Sequence, residues 1–295
     1  MTFRNSESDP NIDKRFVLTG KALSVSTPAI MGVLNVTPDS FSDGGSFNTV
    51  EQACVRINEM VEEGASIIDI GGESTRPGSD TVPEQVELER VVPVIKQAVR
   101  EFPDVMFSVD TTKYNVARQA LENGVQMVND VSGLRTSPGL ADLCAEHDAA
   151  LVIMHSRGTP KTMQNQPEYE DVVGEVLQFL KEKVQWAKNR GVREIVIDPG
   201  IGFGKTLEHN LELIRHLATF TGTGYPLLMG VSRKSVIGKI LADEKGPRPV
   251  DNRLAGSLAL QYHALIHGAA ILRVHDVRQA KDILMIYRAV TGLSS

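Results

Sequence analysis

The chain has 295 residues, of which 41% are hydrophobic and 23% are charged, a composition typical of a folded globular protein and not of a disordered one. Its 31 Lys and Arg residues are outnumbered by 37 Asp and Glu residues, and the formal charge of −6 argues against a uniformly basic surface for nucleic acid. An anionic ligand would therefore require a local cluster of cations.

The cysteines and the amino-terminal segment bear on the compartment. Cys54 and Cys144 each lie in a segment with helical character, so neither a disulfide framework nor a zinc site built on paired cysteines is expected. Residues 1–15 are polar and charged, and no stretch approaches the roughly 18 consecutive apolar residues of a membrane span. We therefore expect a cytoplasmic protein that binds neither membrane nor nucleic acid, with two buried thiols.

The first predicted element is a small β-hairpin over residues 15–25, with Thr19-Gly20-Lys21 at its centre. Such a hairpin would suit the role of a plug at one end of a barrel. We assign residues 1–28 to an amino-terminal tail and this hairpin, and residues 29–295 to the catalytic domain.

Short, continuous apolar runs then recur along the chain, and segments with helical periodicity separate them, for example over residues 50–61 and 173–187. Continuous apolar strands followed by amphipathic helices indicate a parallel sheet covered by helices. Eight such units would form a (β/α)8 TIM barrel, an α/β fold of about 250 residues. A doubly wound open sheet is the alternative, since periodicity does not decide whether the sheet closes. The runs are Ile30–Val36, Ser66–Ile70, Val105–Val109, Gln126–Asn129, Ala149–Met154, Glu194–Ile197, Pro226–Val231 and Ala269–Val274.

Polar residues follow these runs one after another. In a (β/α)8 barrel the carboxyl ends of all strands converge on one face, so these side chains should surround a single pocket despite their distance in sequence. They are Asn35, Gly71–Arg76, Asp110, Asn129, Asp130, His155, Asp198, Ser232–Ser235, Arg273 and His275.

The glycine-rich segment 200–206 invites a nucleotide-binding interpretation, but its spacing fits neither common motif. The P-loop requires four residues between its first Gly and the Gly-Lys pair, and the position that would be that first Gly is Pro199. The dinucleotide motif requires two residues after its second Gly, and only one is present. We expect a flexible loop that lets a flat ligand approach the backbone.

Asp110, Asn129 and Asp198 end three different strands, and no lysine or arginine accompanies them at the same strand ends. Buried carboxylates without a cation need neutral donors. A pterin or guanine ring offers adjacent N–H and NH2 groups to one carboxylate, and an asparagine can donate and accept beside it. Helix caps or turns are the alternative for each Asp taken singly.

Cations gather after the last two strands. Residues 232–235 precede a helix, and Arg273 and His275 end the eighth strand. Barrel enzymes commonly bind phosphate where these loops meet a helix N-terminus. With Arg76 on the same face, these residues would form the required cation cluster; the alternative is a solvated Arg-Lys pair at a helix start.

The turn-rich segment 35–45 could bind Mg²⁺ through oxygen ligands and bridge it to a diphosphate, although a purely structural loop is the alternative. His147 and His155 have no metal-ligand spacing, and we expect both to be structural. A hydrolase triad is not favoured, because no Gly-x-Ser-x-Gly elbow occurs.

Seven motifs carry a resemblance to a known family: Met31–Gly45, Gly72–Gly78, Asp110–Lys113, Asn129–Gly133, Asp198–Lys205, Gly230–Ser235 and Arg273–His275. On these motifs, the chain from Met31 onward resembles the dihydropteroate synthases, the bacterial enzymes of folate biosynthesis that sulfonamides inhibit. The resemblance implies a (β/α)8 barrel, usually a homodimer, that condenses 6-hydroxymethyl-7,8-dihydropterin diphosphate with 4-aminobenzoate. It also implies that diphosphate is released with Mg²⁺ and that 7,8-dihydropteroate is the product.

The resemblance also implies residue roles. The pterin would be bound by Asp110, Asn129, Met154, Asp198, Phe203 and Lys234. The aminobenzoate pocket would contain Thr75, Arg76, Pro77, Phe203, Lys234 and Ser235. The diphosphate would be bound by Asn35, Arg76, Arg273 and His275, with Mg²⁺ on Asn35. The residues expected to act in catalysis are Asp43, Arg76 and Lys234.

Two other functions stay open at this point. A barrel methyltransferase that takes a methyl group from a folate would share the pterin-binding residues, but it should need neither the Gly230–Ser235 motif nor the Asn35 loop. A non-catalytic relative that binds pterin or diphosphate for regulation is the second alternative, although every motif is intact.

Overall fold

The computed structural model describes residues 17–20, 23–26, 28–37, 46–74, 78–158 and 167–293. The strands are β1 Val17–Gly20, β2 Leu23–Ser26, β3 Ala29–Asn35, β4 Ile67–Gly71, β5 Met106–Asp110, β6 Met127–Asp130, β7 Ala150–Met154, β8 Ile195–Asp198, β9 Leu228–Met229 and β10 Ile271–Val274. The helices are α1 Ser46–Glu62, α2 Glu84–Glu101, α3 Tyr114–Glu122, α4 Leu140–Glu146, α5 Val172–Lys188, α6 Leu207–Arg215, α7 Leu217–Thr221, α8 Ser235–Ile240, α9 Leu254–Ile266 and α10 Val277–Thr291.

The last eight strands form one parallel sheet in the order β8-β7-β6-β5-β4-β3-β10-β9. The two ends of this order meet, because Ile197 of β8 pairs in parallel with Leu227, the residue before β9, and the amide of Ile197 donates to Pro226 O over 2.9 Å. The predicted (β/α)8 barrel is therefore confirmed, and the open doubly wound sheet is excluded. The predicted hairpin is also confirmed, since β1 and β2 pair in antiparallel fashion.

The barrel interior changes from apolar to polar along each strand. Side chains in alternate positions of a strand face the same side, so Ile67, Met106 and Met127 form an inner apolar layer, together with residues of the other strands. Two residues further along the same strands, the inner positions are Asp69, Ser108 and Asn129, all buried. A larger apolar core fills the space between the sheet and the helices.

The strand register aligns the predicted site residues at the carboxyl-terminal face. Asn35 pairs with Gly71, Gly71 with Asp110, and Asp110 with Asn129. On the other side of the barrel, Met154 pairs with Asp198. Residues from separate parts of the chain therefore lie side by side, as the strand-end pattern predicts.

Two further features follow from the helices. Cys54 on α1 and Cys144 on α4 are buried free thiols, which confirms their expected placement. Within the described part of the chain, none of the helices is both long enough and apolar enough to span a membrane.

Candidate active site

Arg273 joins two buried carboxylates inside the mouth of the barrel. Its Nε donates to Oδ2 of Asp69 and its Nη2 donates to Oδ2 of Asp110, each over 2.7 Å. Asn129 Nδ2 donates to the same Asp69 oxygen over 2.9 Å. The expectation that Asp110 lacks a cation is wrong, because the register of the closed barrel brings β10 within reach of β4 and β5, which adjacent sequence positions do not reveal.

Burial and charge act in opposite directions on these groups. Burial raises the pKa of Asp110 to about 7, although the neighbouring Arg273 opposes the shift. Burial also opposes the charge on Arg273, but Asp69 and Asp110 raise the pKa of its guanidinium overall. The guanidinium is therefore held as a cation between two acids.

Three polar atoms in this layer have no hydrogen-bond partner among the described residues: Asp69 Oδ1, Asp110 Oδ1 and Ser108 Oγ. Buried polar atoms are nearly always paired, and leaving one unpaired costs about 1–3 kcal/mol. Two of the three are carboxylate oxygens, which accept hydrogen bonds when ionised. The layer is thus suited to a ligand with N–H or NH2 donors.

The opposite wall of the site is built by Asp198 and Lys234. Asp198, buried at the end of β8, accepts a hydrogen bond from the Gly200 amide at Oδ1 over 2.6 Å. Burial raises the pKa of Asp198, with Lys234 opposing. Burial lowers the pKa of Lys234 to about 8, with Asp198 opposing. Each group thus partly offsets the cost of burying the other.

Lys234 is fixed by the glycine-rich segment. Its Nζ donates to Ile201 O and lies 4.5 Å from the centre of the Phe203 ring. Gly202 has a φ of +86°, a left-handed conformation that favours glycine, and a Cβ there would lie 3.4 Å from Cδ of Lys234. Met154, buried at the end of β7, pairs with Asp198 in the register. The Phe203 ring and the Lys234 cation therefore lie together near the ends of β7 and β8, an arrangement that suits a flat ligand.

The third side of the site comes from the adjacent strands β3 and β10. Asn35 ends β3, and His275 follows β10 with its Nδ1 3.1 Å from Ser232 Oγ. The amide of His275 donates to the same hydroxyl over 3.2 Å. Asn35, Arg273 and His275 thus belong to neighbouring strand ends.

The cation cluster after β9 is divided. The guanidinium of Arg233 forms an ion pair with Asp276, with Nε 3.0 Å from Oδ2. Lys234 Nζ instead donates to Ile201 O and lies over the Phe203 ring. Ser235 is the exposed first residue of α8, a helix of six residues. Arg233 therefore does not join Lys234 in one cluster, because its pairing with Asp276 draws it to the α10 side.

Four predicted residues cannot be placed: Asp43, Thr75, Arg76 and Pro77 lie outside the described residues. The backbone just before Thr75 is well anchored. Lys113 Nζ donates to carboxylate oxygens of Glu73 and Glu87, and Arg90 Nη1 donates to Gly72 O over 2.7 Å. Glu87 is a buried carboxylate on α2.

The structure adds residues that the sequence patterns did not single out. Asp69 is the foremost. It could have been found as a charged residue between isoleucines in a buried strand, since a buried charge requires a partner.

His155 is buried with Nδ1 3.0 Å from Lys205 Nζ, which agrees with its expected structural role. Among the residues the structure describes, no group of three or more His, Cys, Asp and Glu could hold a metal ion.

A closed barrel with acids and cations inside its carboxyl-terminal mouth is typical of barrel enzymes, whose active sites lie at that face. The chain belongs to the pterin-binding enzyme family: residues 31–275 match the family described as pterin binding enzyme.

Curated relatives and solved structures agree. Dihydropteroate synthase of Synechocystis sp. is 48% identical over 263 residues, covering 88% of this chain and 89% of that protein. The Escherichia coli K12 enzyme is 43% identical over 272 residues, covering 92% and 94%. The Yersinia pestis enzyme with a sulfonamide drug has a TM-score of 0.86 at 40% identity, over 94% of this chain and 100% of that one. The activity of the chain is that of the dihydropteroate synthases, transferases of folate biosynthesis.

Proposed function

We propose that the chain binds its pterin substrate on the buried acids of the barrel mouth and condenses it there with 4-aminobenzoate. The observation that carries this assignment is the unpaired Oδ1 of Asp110, buried beside Arg273. A pterin edge supplies the N–H and NH2 donors that such an oxygen needs. The Xanthomonas albilineans enzyme, 39% identical with a TM-score of 0.83 over 94% of this chain and 100% of that one, was solved in complex with 7,8-dihydropteroate, which supports the ligand class.

The pterin ring would lie between the two walls of the site. Asp110 and Asn129 would contact it from β5 and β6, and Asp198 from β8. Phe203, Met154 and Lys234 would contact the ring from the same wall as Asp198, opposite Asp110 and Asn129. The support is geometric, because the strand register and the contacts of Lys234 bring these groups to one mouth.

The diphosphate would bind at the β3 and β10 side, on Asn35, Arg273 and His275, with Arg76, which follows β4 in the sequence. Arg273 is suited to both ligands, because it contacts Asp110 while it lies on the strand next to β3. A planar guanidinium can bond two oxygens of a phosphate group at once.

The aminobenzoate would bind nearer the surface, on Thr75, Arg76, Pro77, Phe203, Lys234 and Ser235, with Asp43 helping to close the site. Three of these six pocket residues, Thr75, Arg76 and Pro77, lie outside the described residues, so the resemblance carries the assignment. Another Xanthomonas albilineans dihydropteroate synthase structure, 41% identical with a TM-score of 0.86, was solved with 4-aminobenzoic acid. The exposed position of Ser235 at the start of α8 is consistent with an outer pocket.

The reaction exchanges one bond at the pterin methylene for another. The C–O bond to diphosphate breaks, and diphosphate takes the electron pair. The amine of 4-aminobenzoate supplies the pair for the new C–N bond, and its nitrogen then loses one proton. Arg76, Arg273 and Lys234 would stabilise the departing negative charge, and Asp43 the positive charge that develops on the pterin. No covalent enzyme nucleophile is needed.

Mg²⁺ fits this site as an ion carried with the substrate. Mg²⁺ commonly takes one or two protein oxygens and fills its other positions with phosphate oxygens and water. The amide oxygen of Asn35, at the end of β3 beside the arginine-bearing strand, is a ligand of the right type. When bound, Mg²⁺ would neutralise charge on the diphosphate.

We further propose a cytoplasmic homodimer. The sequence offers no apolar stretch of membrane-span length, and both described cysteines are buried free thiols, which suits a reducing compartment.

The proposed dimer rests on an exposed apolar face where α9 packs against α10. Its large apolar side chains, between 48% and 70% exposed, are Ile266 of α9 and Met285, Ile286 and Val290 of α10. A second copy of the chain would cover such a face. Sedimentation equilibrium would test this, and a monomer at all concentrations would contradict it.

The function is tested by a coupled assay of dihydropteroate formation from pterin diphosphate and 4-aminobenzoate. Formation of product should require both substrates, and Mg²⁺ should accelerate the release of diphosphate from the pterin substrate. A protein that binds pterin without forming product would instead be a non-catalytic relative. Methyl transfer from a folate in the absence of 4-aminobenzoate would indicate the methyltransferase.

A further inference from the structure

Lys205 is a buried lysine at the end of the glycine-rich segment. It is 1% exposed, and its Nζ lies 2.9 Å from Gly200 O, 3.1 Å from Phe203 O and 3.3 Å from His155 O. Nδ1 of His155 lies 3.0 Å from the same nitrogen. A buried amino group requires such acceptors, because leaving it unpaired is costly. Residues 200–205 therefore curl around a lysine that points away from solvent.

The acceptors around Nζ, which we call the cage, are three carbonyl oxygens and one imidazole nitrogen, and they define what Lys205 does. Carbonyl oxygens only accept hydrogen bonds, so Nζ donates to them. Burial, followed by the charge of Lys205, lowers the pKa of His155 to about 2, so this imidazole is neutral. Burial also lowers the pKa of Lys205, with Asp198 opposing. The lysine thus ties the segment after β7 to the segment after β8.

The same stretch of backbone faces the candidate pterin site on its other side. The amide of Gly200 donates to Asp198 Oδ1 over 2.6 Å, and Ile201 O accepts from Lys234 Nζ. The Phe203 ring lies 4.5 Å from that Nζ. Gly200 and Phe203, whose carbonyls accept from Lys205, therefore also contact Asp198 and Lys234 respectively.

The backbone here has little room to adjust. Gly200 has a φ of +69°, and a Cβ at this position would lie 1.8 Å from His155 O. Gly204 has a φ of +65°, and its Cβ would lie 2.2 Å from Arg157 O. The loop is thus pressed against the segment after β7, and a change in the cage should shift the loop as a unit.

We propose that Lys205 is a positioning residue for the pterin site. It fixes the carbonyls of Gly200 and Phe203, and through this loop it sets the places of Asp198 and Lys234. It does not touch the ligand itself. The inference rests on the proposed function, since it assigns Lys205 to the pterin side of the site and not to the diphosphate side.

The test compares Lys205→Met and Lys205→Gln with the unaltered protein. Met removes the donors at similar length, and Gln keeps two donors on a shorter side chain. Calorimetric titration would use 6-hydroxymethylpterin, which has no leaving group, and separately inorganic diphosphate with Mg²⁺. We expect Met to weaken pterin binding by about 10-fold to 100-fold, as for loss of one or two hydrogen bonds of a charged group, and Gln to weaken it less. Diphosphate binding should change by no more than about twofold, because none of its candidate ligands, Asn35, Arg76, Arg273 and His275, belongs to the segment that Lys205 holds.

A control variant separates positioning from general loss of stability. Leu284→Ala removes a buried side chain of α10 that is not part of the loop, and should lower the melting temperature with pterin binding unchanged. Equal loss of pterin and diphosphate affinity in folded Lys205 variants would overturn the inference, as would unchanged pterin affinity. Absence of pterin binding by the unaltered protein would overturn the proposed function instead.

Discussion

Arg273 and Asp69 are 204 positions apart in the chain, and Nε of Arg273 donates to Oδ2 of Asp69 over 2.7 Å. Asp69 is fully buried, while the side chain of Arg273 is 20% exposed. The arginine is therefore anchored below by an inner acid and reaches the mouth of the barrel with its other nitrogens. This arrangement holds the guanidinium of Arg273 beside Asp110, at the mouth where the diphosphate is proposed to bind.

Asp69→Asn tests whether the inner acid positions Arg273. The amide cannot carry the charge, so the arginine loses one of its two anionic partners. A hydrogen bond between charged groups contributes about 1.5–3 kcal/mol, so diphosphate affinity should fall by roughly 10-fold to 100-fold. Calorimetry with inorganic diphosphate and Mg²⁺ measures this. Asp282→Asn, an exposed position on α10, is the control; an effect of the same size there would refute the positioning role.

Arg273→Lys should weaken diphosphate binding more than aminobenzoate binding. Lysine keeps the charge, but a single ammonium cannot span Asp69 and Asp110 as the guanidinium does. Titration of each ligand separately measures the difference. Equal losses for the two ligands would contradict the assignment of Arg273 to the diphosphate. Arg273→Ala should have the larger effect, and should also destabilise the fold because two buried acids lose their cation.

Pterin affinity should depend on pH in both directions. Below about 7, protonation of Asp110 removes its acceptor charge, so affinity should fall as the pH is lowered through that pKa. Above about 8, Lys234 loses its proton and no longer balances Asp198, so affinity should fall again. Affinity should therefore pass through a maximum near neutral to mildly alkaline pH. Lys234→Met should remove the alkaline decline, and a decline that persists in this variant would reject Lys234 as its source.

Removal of Mg²⁺ should affect the diphosphate end of the substrate and leave binding of the pterin end unchanged. Chelation with EDTA should slow product formation strongly while leaving the affinity for 6-hydroxymethylpterin unchanged, since that ligand has no diphosphate. Asn35→Ala should raise the Mg²⁺ concentration that gives half-maximal activity. Asn58→Ala, at an exposed position on α1, is the control. An unchanged Mg²⁺ requirement in Asn35→Ala would exclude Asn35 as the ligand.

The strands could be predicted closely from the sequence, because buried parallel strands are continuous apolar runs. The run Ile30–Val36 corresponds to β3 at Ala29–Asn35. The run Pro226–Val231 is longer than β9, which covers Leu228–Met229. Proline has no N–H to donate to a neighbouring strand, and Pro226 contributes only its carbonyl to the closure of the barrel.

The pairing of charges inside the site could not be predicted in the same way. Asp69 and Arg273 belong to strands separated in sequence by most of the barrel, and only the closed register brings them together. Adjacency in the sequence favours one cluster of Arg233 and Lys234, but the φ of +57° at Arg233 and its ion pair with Asp276 direct the two side chains to different partners. Adjacent sequence positions do not determine which carboxylate a long cationic side chain reaches.

The most direct test of the account is the dissociation constant of 6-hydroxymethylpterin for Asp198→Asn, measured beside Asp130→Asn. Both acids are buried strand-end residues, but both oxygens of Asp130 are already bonded, to the amides of Ser132 and Leu134. We predict that Asp198→Asn weakens binding on the order of 10²-fold to 10⁴-fold, because the new amide presents a donor to a donor. Asp130→Asn should lower stability and leave the affinity unchanged. Equal affinity of Asp198→Asn and the unaltered protein would contradict the proposed pterin site.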